Sequence, residues 1–276
     1  MTEKKILLWF GTGANQKALA AKIHARFGIC GIIIDEKRAG KKTPFIKRAW
    51  TAMQDRIFYK QILFGWLGMQ IRYEQQYPDW PQVAVKRVDS INRDEAYEFS
   101  RLQQPDLIVV SGTALVKSKM LSLKPGIGII NLHTGLSPYI KGGPNCTNWC
   151  ISTNQPDLIG NTIMWINEGI DSGNIIATEQ TMLQPTQNLS GIQWQVMEHA
   201  HDLYLRSIDY LLHSVPPYQS VVQKEIGKGT LYLTRMWNSA AKRKLLKHLP
   251  GLLRKGNNPQ KGTVVTIPLK SAPHGV

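Results

Sequence analysis

Asn131, His133 and Asp171 are the residue types that acyl transfer needs: a neutral amide donor, a titratable imidazole, and a carboxylate to orient and charge it. Asn131 and His133 stand two apart, so on an extended strand both side chains leave the same face. Asp171 lies 38 positions after His133 in NEGIDSG, residues 167–173, where two glycines favour a tight bend. The trio holds no strong nucleophile of its own. It suits passage of an acyl group between two bound partners, with amide and imidazolium stabilising a developing oxyanion while a proton moves through His133 or water.

Such a site needs a strand to present the first pair and a turn to return the carboxylate. Ile127 to Leu132 is an apolar run leading straight into His133, and similar runs occur at Lys4 to Phe10, Ile29 to Ile34, Val83 to Val88 and Leu107 to Val110. Ala14 to Phe27 reads as a helix. A second helix is expected from Asn92 to about Gln103, with Asn92 as its cap and Glu95 completing a capping box. Apolar strands alternating with helices predict a parallel sheet covered on both faces. Beyond Gly160 the pattern changes to a hairpin, Thr162 to Ile166 and Ile175 to Met182, then a long helix from Asn188 to about Leu212. The last part holds a strand at Thr230 to Leu233 and a basic helix near Trp237 to Leu249, with a domain boundary expected near 215.

In open sheets of this kind, ligands bind beyond the carboxyl ends of the strands, which points to the loops Gly11–Asn15, Ser111–Lys117 and Asn131–Gly143. GTGANQ, residues 11–16, follows a strand and opens a helix, with Asp35 near where a ribose-binding acid would fall. Gln16, however, replaces the small residue that a dinucleotide fingerprint requires. A phosphate at the helix N-terminus and a plain tight turn both remain open readings. Cys146 and Cys150 share a helical spacing without further ligands, and His199 and His201 point to different helix faces, so no metal site is expected.

The formal charge of +15 is unevenly placed. Residues 37–72 carry +8 and residues 222–276 carry +10, leaving a net −3 for the rest. A slightly acidic body with two basic attachments argues against a nucleic-acid track across the core. It leaves open a solvated surface, or contact with RNA or an anionic membrane. Within the first basic stretch, Ile46, Trp50, Met53 and Ile57, followed by Phe64, Leu67 and Ile71, fall at helical spacing. Packing against the body is the expected meaning, and a helix lying on a membrane is the alternative. The three cysteines are odd in number and the start lacks a signal-peptide pattern, so a reducing cytoplasm is expected.

NLHTGLSPYIKG, from Asn131 through His133 and Pro138 to Gly142, with GNTIMWINEGIDSGNII, Gly160 to Ile176, resembles the 10-formyltetrahydrofolate-dependent formyltransferases. PDLIVVSG, residues 105–112, is similar to the strand that precedes the first motif in that family. The resemblance covers about residues 1–212 and weakens in the insertion. It implies a Rossmann-like α/β fold with a catalytic domain at 1–214, a basic helical insertion at about 37–80, and a small basic C-terminal appendage at 215–276. It further implies that Asn131 and His133 hold the formyl oxygen, that Asp171 tunes His133 and assists proton removal, and that 10-formyltetrahydrofolate is the donor. A pterin pocket is implied at Leu115, Val116 and Lys117 and at Asn167, Glu168, Gly169 and Ile170. Gly11, Gly13 and Asn15 resemble a substrate-phosphate loop, while Thr134, Ser137 and Lys141 are expected to face the acceptor. Gly135 and Ser137 depart from the serine and leucine usual in the family. The expected acceptor is the primary amine of an amino sugar or sugar nucleotide; the alternatives are hydroxyornithine, glycinamide ribonucleotide or methionyl-tRNA, and a non-catalytic basic RNA- or membrane-binding relative is the rival. Peripheral membrane contact through the basic segments and a homodimer are the expected associations.

Overall fold

β1 (Ile6–Gly11), β2 (Gly31–Asp35) and β4 (Leu107–Ser111) are buried along their whole length, as strands covered on both faces must be. The computed structural model describes residues 4–36, 53–143, 145–257 and 264–270. With β3 (Val85–Val88), β5 (Gly128–His133), β7 (Gly160–Trp165) and β8 (Ile175–Gln180) these strands form a seven-stranded sheet in the order β3, β2, β1, β4, β5, β7, β8. The first five are parallel, and β7 and β8 add antiparallel.

Alternate side chains of the strands feed two cores. Leu8, Phe10, Ile32 and Val109 pack beneath α1 (Ala14–Phe27), α2 (Lys60–Gln76) and a long helix numbered α5 (Leu189–His213). Leu7, Trp9, Ile33 and Ile108 pack with Ala96 of α3 (Asp94–Gln103) on the other face. Asn188 caps α5, its side chain accepting from the Gly191 amide at 3.1 Å. The α3 cap differs from expectation. Arg93 holds the N-cap position without a side-chain bond, and the Asn92 side chain is spent on a neighbouring loop.

A third core joins α4 (Cys146–Ser152) to the C-terminal part. Trp149 and Cys150 pack with Leu245, Leu249 and Leu252 of α6 (Ser239–Lys255), and Trp149 stacks on Tyr232 with centroids 4.3 Å apart. Tyr232 ends β9 (Thr230–Tyr232), which pairs in parallel with β6 (Ile140–Gly142). The expected boundary near 215 therefore does not divide two cores. Val221 also bridges to Ile175, and the Gln219 amide reaches the Ile176 carbonyl at 2.6 Å.

The insertion stripe is turned opposite to the packing expected for it. Ile62, Gly65, Met69 and Tyr73 are the buried face of α2, while Met53, Ile57, Phe64, Leu67 and Ile71 are exposed. Ile46 and Trp50 lie outside the described residues. Among the described residues no helix is long and apolar enough to cross a membrane.

Candidate active site

Strand order reverses between β1 and β4, which opens a crevice at their carboxyl ends. Here the crevice is filled from within. A Cβ on Gly11 would stand 2.5 Å from the Gly112 carbonyl oxygen, and one on Gly112 would stand 2.7 Å from Gln16 Nε2. Glycine is needed at both positions because two loops and the Gln16 side chain already occupy the space. Asp35, at the end of β2, accepts from the Ala114 amide at 2.7 Å, so it braces a loop.

The open cleft lies one strand further on, beyond the ends of β4 and β5. Its volume is about 270 Å³, and the walls include Gly112–Val116, Asn131, and residues 164–167 and 169–173. Tyr204 of α5 holds its floor. The phenol accepts from the Val110 amide at 3.0 Å and faces the Val110 and Ile130 carbonyls at 3.0 and 2.9 Å as donor, so one hydroxyl spans β4 and β5 just below Asn131. Asn92 pins the upper wall, donating to the Leu115 carbonyl at 2.9 Å and accepting from the Lys117 amide at 2.8 Å.

Asn131 and Asp171 both face this cleft. Asp171 sits at φ 45°, in the left-handed region, within a loop that several polar contacts hold in shape. Asn167 Oδ1 accepts from the Gly169 amide and the Ser172 hydroxyl, and Gln223 Nε2 donates to the Asp171 and Gly173 carbonyls at 2.9 and 2.7 Å. Gly173 is required for close approach, since a Cβ there would lie 1.6 Å from the Trp165 carbonyl oxygen. Asp171 Oδ2 accepts from the Gly142 amide at 2.9 Å and stands 3.3 Å from His133 Nδ1.

His133 is behind the carboxylate and does not line the cleft. Its Nε2 lies 3.0 Å from the Ile140 carbonyl oxygen, which can only accept, and 3.7 Å from Cys146 Sγ. A proton on each ring nitrogen satisfies both sides. Burial opposes a charge on this ring, but the Asp171 carboxylate, Cys146 and the Ile140 carbonyl outweigh it and raise the pKa to about 9. The ring is therefore an imidazolium at neutral pH. Gly135 makes the position available: a Cβ at 135 would stand 2.4 Å from His133 Nε2.

The expected binding residues are distributed as follows. Leu115, Val116, Asn167, Gly169 and Ile170 line the cleft, whereas Lys117 and Glu168 do not. Lys117 is instead the N-cap of the turn Ser118–Leu121. Asn15 is buried, its side chain accepting from Gln70 Nε2 at 2.8 Å and reaching Met197 Sδ at 3.6 Å. Gln70 also takes the Ala14 amide at 2.7 Å, so the insertion helix uses the loop that resembled a phosphate site, and Gly11, Gly13 and Asn15 stay outside the cleft. Ser137 is fully buried, its amide donating to Thr162 Oγ1, and so faces inward instead of toward an acceptor. Thr134 is half-buried outside the cleft lining. Lys141 is half-buried on β6, where burial lowers its pKa and the nearby Asp171 charge partly restores it. Sequence reasoning missed Tyr204, Asn92 and Gln223 as supports, because nothing local to a strand or helix reveals a partner so distant in the chain. Among the described residues no three of His, Cys, Asp or Glu gather into a metal-binding cluster.

The doubly wound α/β sheet thus brings Asn131 and Asp171 to one cleft beyond β4 and β5, with His133 behind the carboxylate. The family model described as formyl transferase matches residues 71–208, half of the chain, and the chain belongs to that family. A methionyl-tRNA formyltransferase of Syntrophus aciditrophicus is 30% identical over 136 residues, covering 49% of this chain and 43% of the relative. The chain thus spans less than half the length of that relative. A sugar N-formyltransferase from Shewanella shares the fold at TM-score 0.54 and 15% identity, over 96% of this chain and 97% of the other. An N-formyltransferase from Helicobacter canadensis, solved with folinic acid and dTDP-3-aminofucose, aligns at TM-score 0.53 and 15% identity over 88% and 79% of the two chains.

Proposed function

We infer that the protein transfers a formyl group from 10-formyltetrahydrofolate to the primary amine of an amino sugar carried on a nucleotide. The observation that carries this reading is the convergence of Asn131 and Asp171 on one cleft with the His133 ring held behind the carboxylate. The cleft fits a flat donor: Leu115, Val116 and Ile170 provide apolar walls, and the loops at 112–116 and 167–173 bring backbone polar groups to its edge. When bound, the donor supplies an activated formyl group.

The chain's own residues then have separate tasks. The Asn131 side chain, without a hydrogen-bond partner among the described residues, is the neutral donor for negative charge developing on an oxygen in the cleft. Asp171 Oδ2 is committed to His133 and Gly142, leaving Oδ1 to accept the proton that the attacking amine must lose. The ring behind it and the Gly142 amide keep the carboxylate oriented. The amine must arrive neutral, so turnover falls in acid; it falls again as His133 loses its proton near pH 9.

Fold likeness over nearly the full chain to a sugar N-formyltransferase supports the amino-sugar acceptor. Closure of the Gly11–Asn15 loop by Gln70 speaks against a ribonucleotide phosphate bound there. The protein is assayed for tetrahydrofolate release with 10-formyltetrahydrofolate and a panel of nucleotide-linked amino sugars, hydroxyornithine, glycinamide ribonucleotide and methionyl-tRNA. Release is expected with an amino-sugar nucleotide and lost in His133→Ala and Asp171→Ala. Normal turnover in both variants would sink the mechanism, and preference for charged tRNA would overturn the acceptor.

A further inference from the structure

Two stretches outside the residues matched by the family model, 53–70 and 239–255, meet on one side of the molecule. Lys242 of α6 pairs with Asp55, and its ammonium lies 5.2 Å from the centroid of the Tyr59 ring. Between α2 and α6 runs a groove of about 550 Å³ with Phe64, Gly68 and Ile71 on one wall and Leu249 and Leu253 on the other. α2 is held close to α5 from behind: a Cβ at Gly65 would lie 2.7 Å from the Leu189 side chain, and one at Gly68 2.7 Å from Ser190 Oγ. Its outer stripe is therefore fixed outward.

That stripe is strongly apolar. Phe64 and Ile71 of α2 are 61% and 56% exposed, and Ile57 and Phe58, in the helical stretch just before it, are 58% and 67% exposed. Beside it, α6 carries Arg243, Lys244, Lys247, Arg254 and Lys255 in addition to the Lys242 held by Asp55, and no acidic residue. A clustered apolar face next to a helix with only positive charge is not an ordinary solvated surface. We propose that this face docks on an anionic lipid bilayer, with Phe58, Phe64 and Ile71 entering the acyl boundary and the α6 cations meeting the headgroups. Charge decides among occupants. A second copy would bring a chain of +15 against a chain of +15. A nucleic acid would meet the cations yet leave the rings and branched side chains in water.

The inference is independent of the formyl-transfer reading, since it uses none of the cleft residues. The full chain is sedimented with phosphatidylcholine vesicles and with vesicles that also contain phosphatidylglycerol. Binding is expected only to the anionic vesicles, weakening with salt. Lys244→Gln and Lys247→Gln each lower the partition coefficient by about fivefold. Phe64→Ser with Ile71→Ser abolishes binding, while circular dichroism and folate release stay unchanged. Failure to bind anionic vesicles, or full binding by the Phe64→Ser, Ile71→Ser variant, overturns the proposal. So does concentration-dependent dimerisation that the same pair of substitutions removes, or binding to RNA that displaces the vesicles.

Discussion

Gly135→Ala tests the placement of His133 most directly. The backbone at 135 is outside the positive-φ region, so alanine is conformationally acceptable there and the consequence is steric. The new Cβ would stand 2.4 Å from His133 Nε2 and 3.0 Å from Cys146 Cβ, and the imidazole must leave its position between Asp171 and the Ile140 carbonyl. The shift from 6.5 to about 9 corresponds to on the order of 3 kcal/mol favouring the charged ring in place. Part of this returns as hydration when the ring moves out, so a net loss of about 1–3 kcal/mol is expected. A raised folded-state pKa means that this stabilisation is complete below about pH 6.5 and is lost as pH rises through about 9. The stability gap between wild type and variant should therefore be widest in mild acid and narrow in alkali. Urea unfolding across that range measures the gap, and NMR titration of the His133 ring follows the pKa, which should fall well below 9 in the variant. A Gly135→Ala protein that keeps the raised pKa and shows a pH-independent stability difference would refute the inward placement.

Tyr204→Phe removes the hydroxyl that spans β4 and β5, and should lower stability by about 1–3 kcal/mol in urea melts because buried backbone groups lose a partner. Gln223→Leu leaves the Asp171 and Gly173 carbonyls without their donor, so stability should fall by about 1–3 kcal/mol and the loosened loop should cut kcat about ten- to a hundredfold in protein still folded at the assay temperature; unchanged kcat would remove Gln223 from the site's supports. At Glu179 burial disfavours the charge, but bonds from His199 and Arg206 pull the pKa down to about 2. Its stabilisation is present above about pH 4.5 and fades as pH falls through about 2, so Arg206→Met should move the acid-unfolding midpoint upward.

Much of the fold follows from local pattern. The buried runs of β1, β2, β4 and β5 are too apolar for an exposed face, and Ala14–Phe27 forms the helix its composition predicts. β6 and α4 escape such reading because each is short, and β6 gains its partner only from β9, some 90 residues later. Asn92 satisfies a capping pattern yet bonds the Leu115–Lys117 loop, a competition that spacing along the chain cannot arbitrate.

For the site, residue chemistry and strand periodicity pointed to Asn131, His133 and Asp171 as the candidate trio, with the first two near a strand end and the third in a turn. Tertiary structure alone decided which of the three meets the cleft, because His133 turns inward only where Gly135 leaves room and Asp171 and Ile140 receive both ring nitrogens. It also decided that Gln70 closes the first glycine loop and that the apolar stripe of α2 faces out, since helical spacing gives a stripe its phase but not the neighbour it meets.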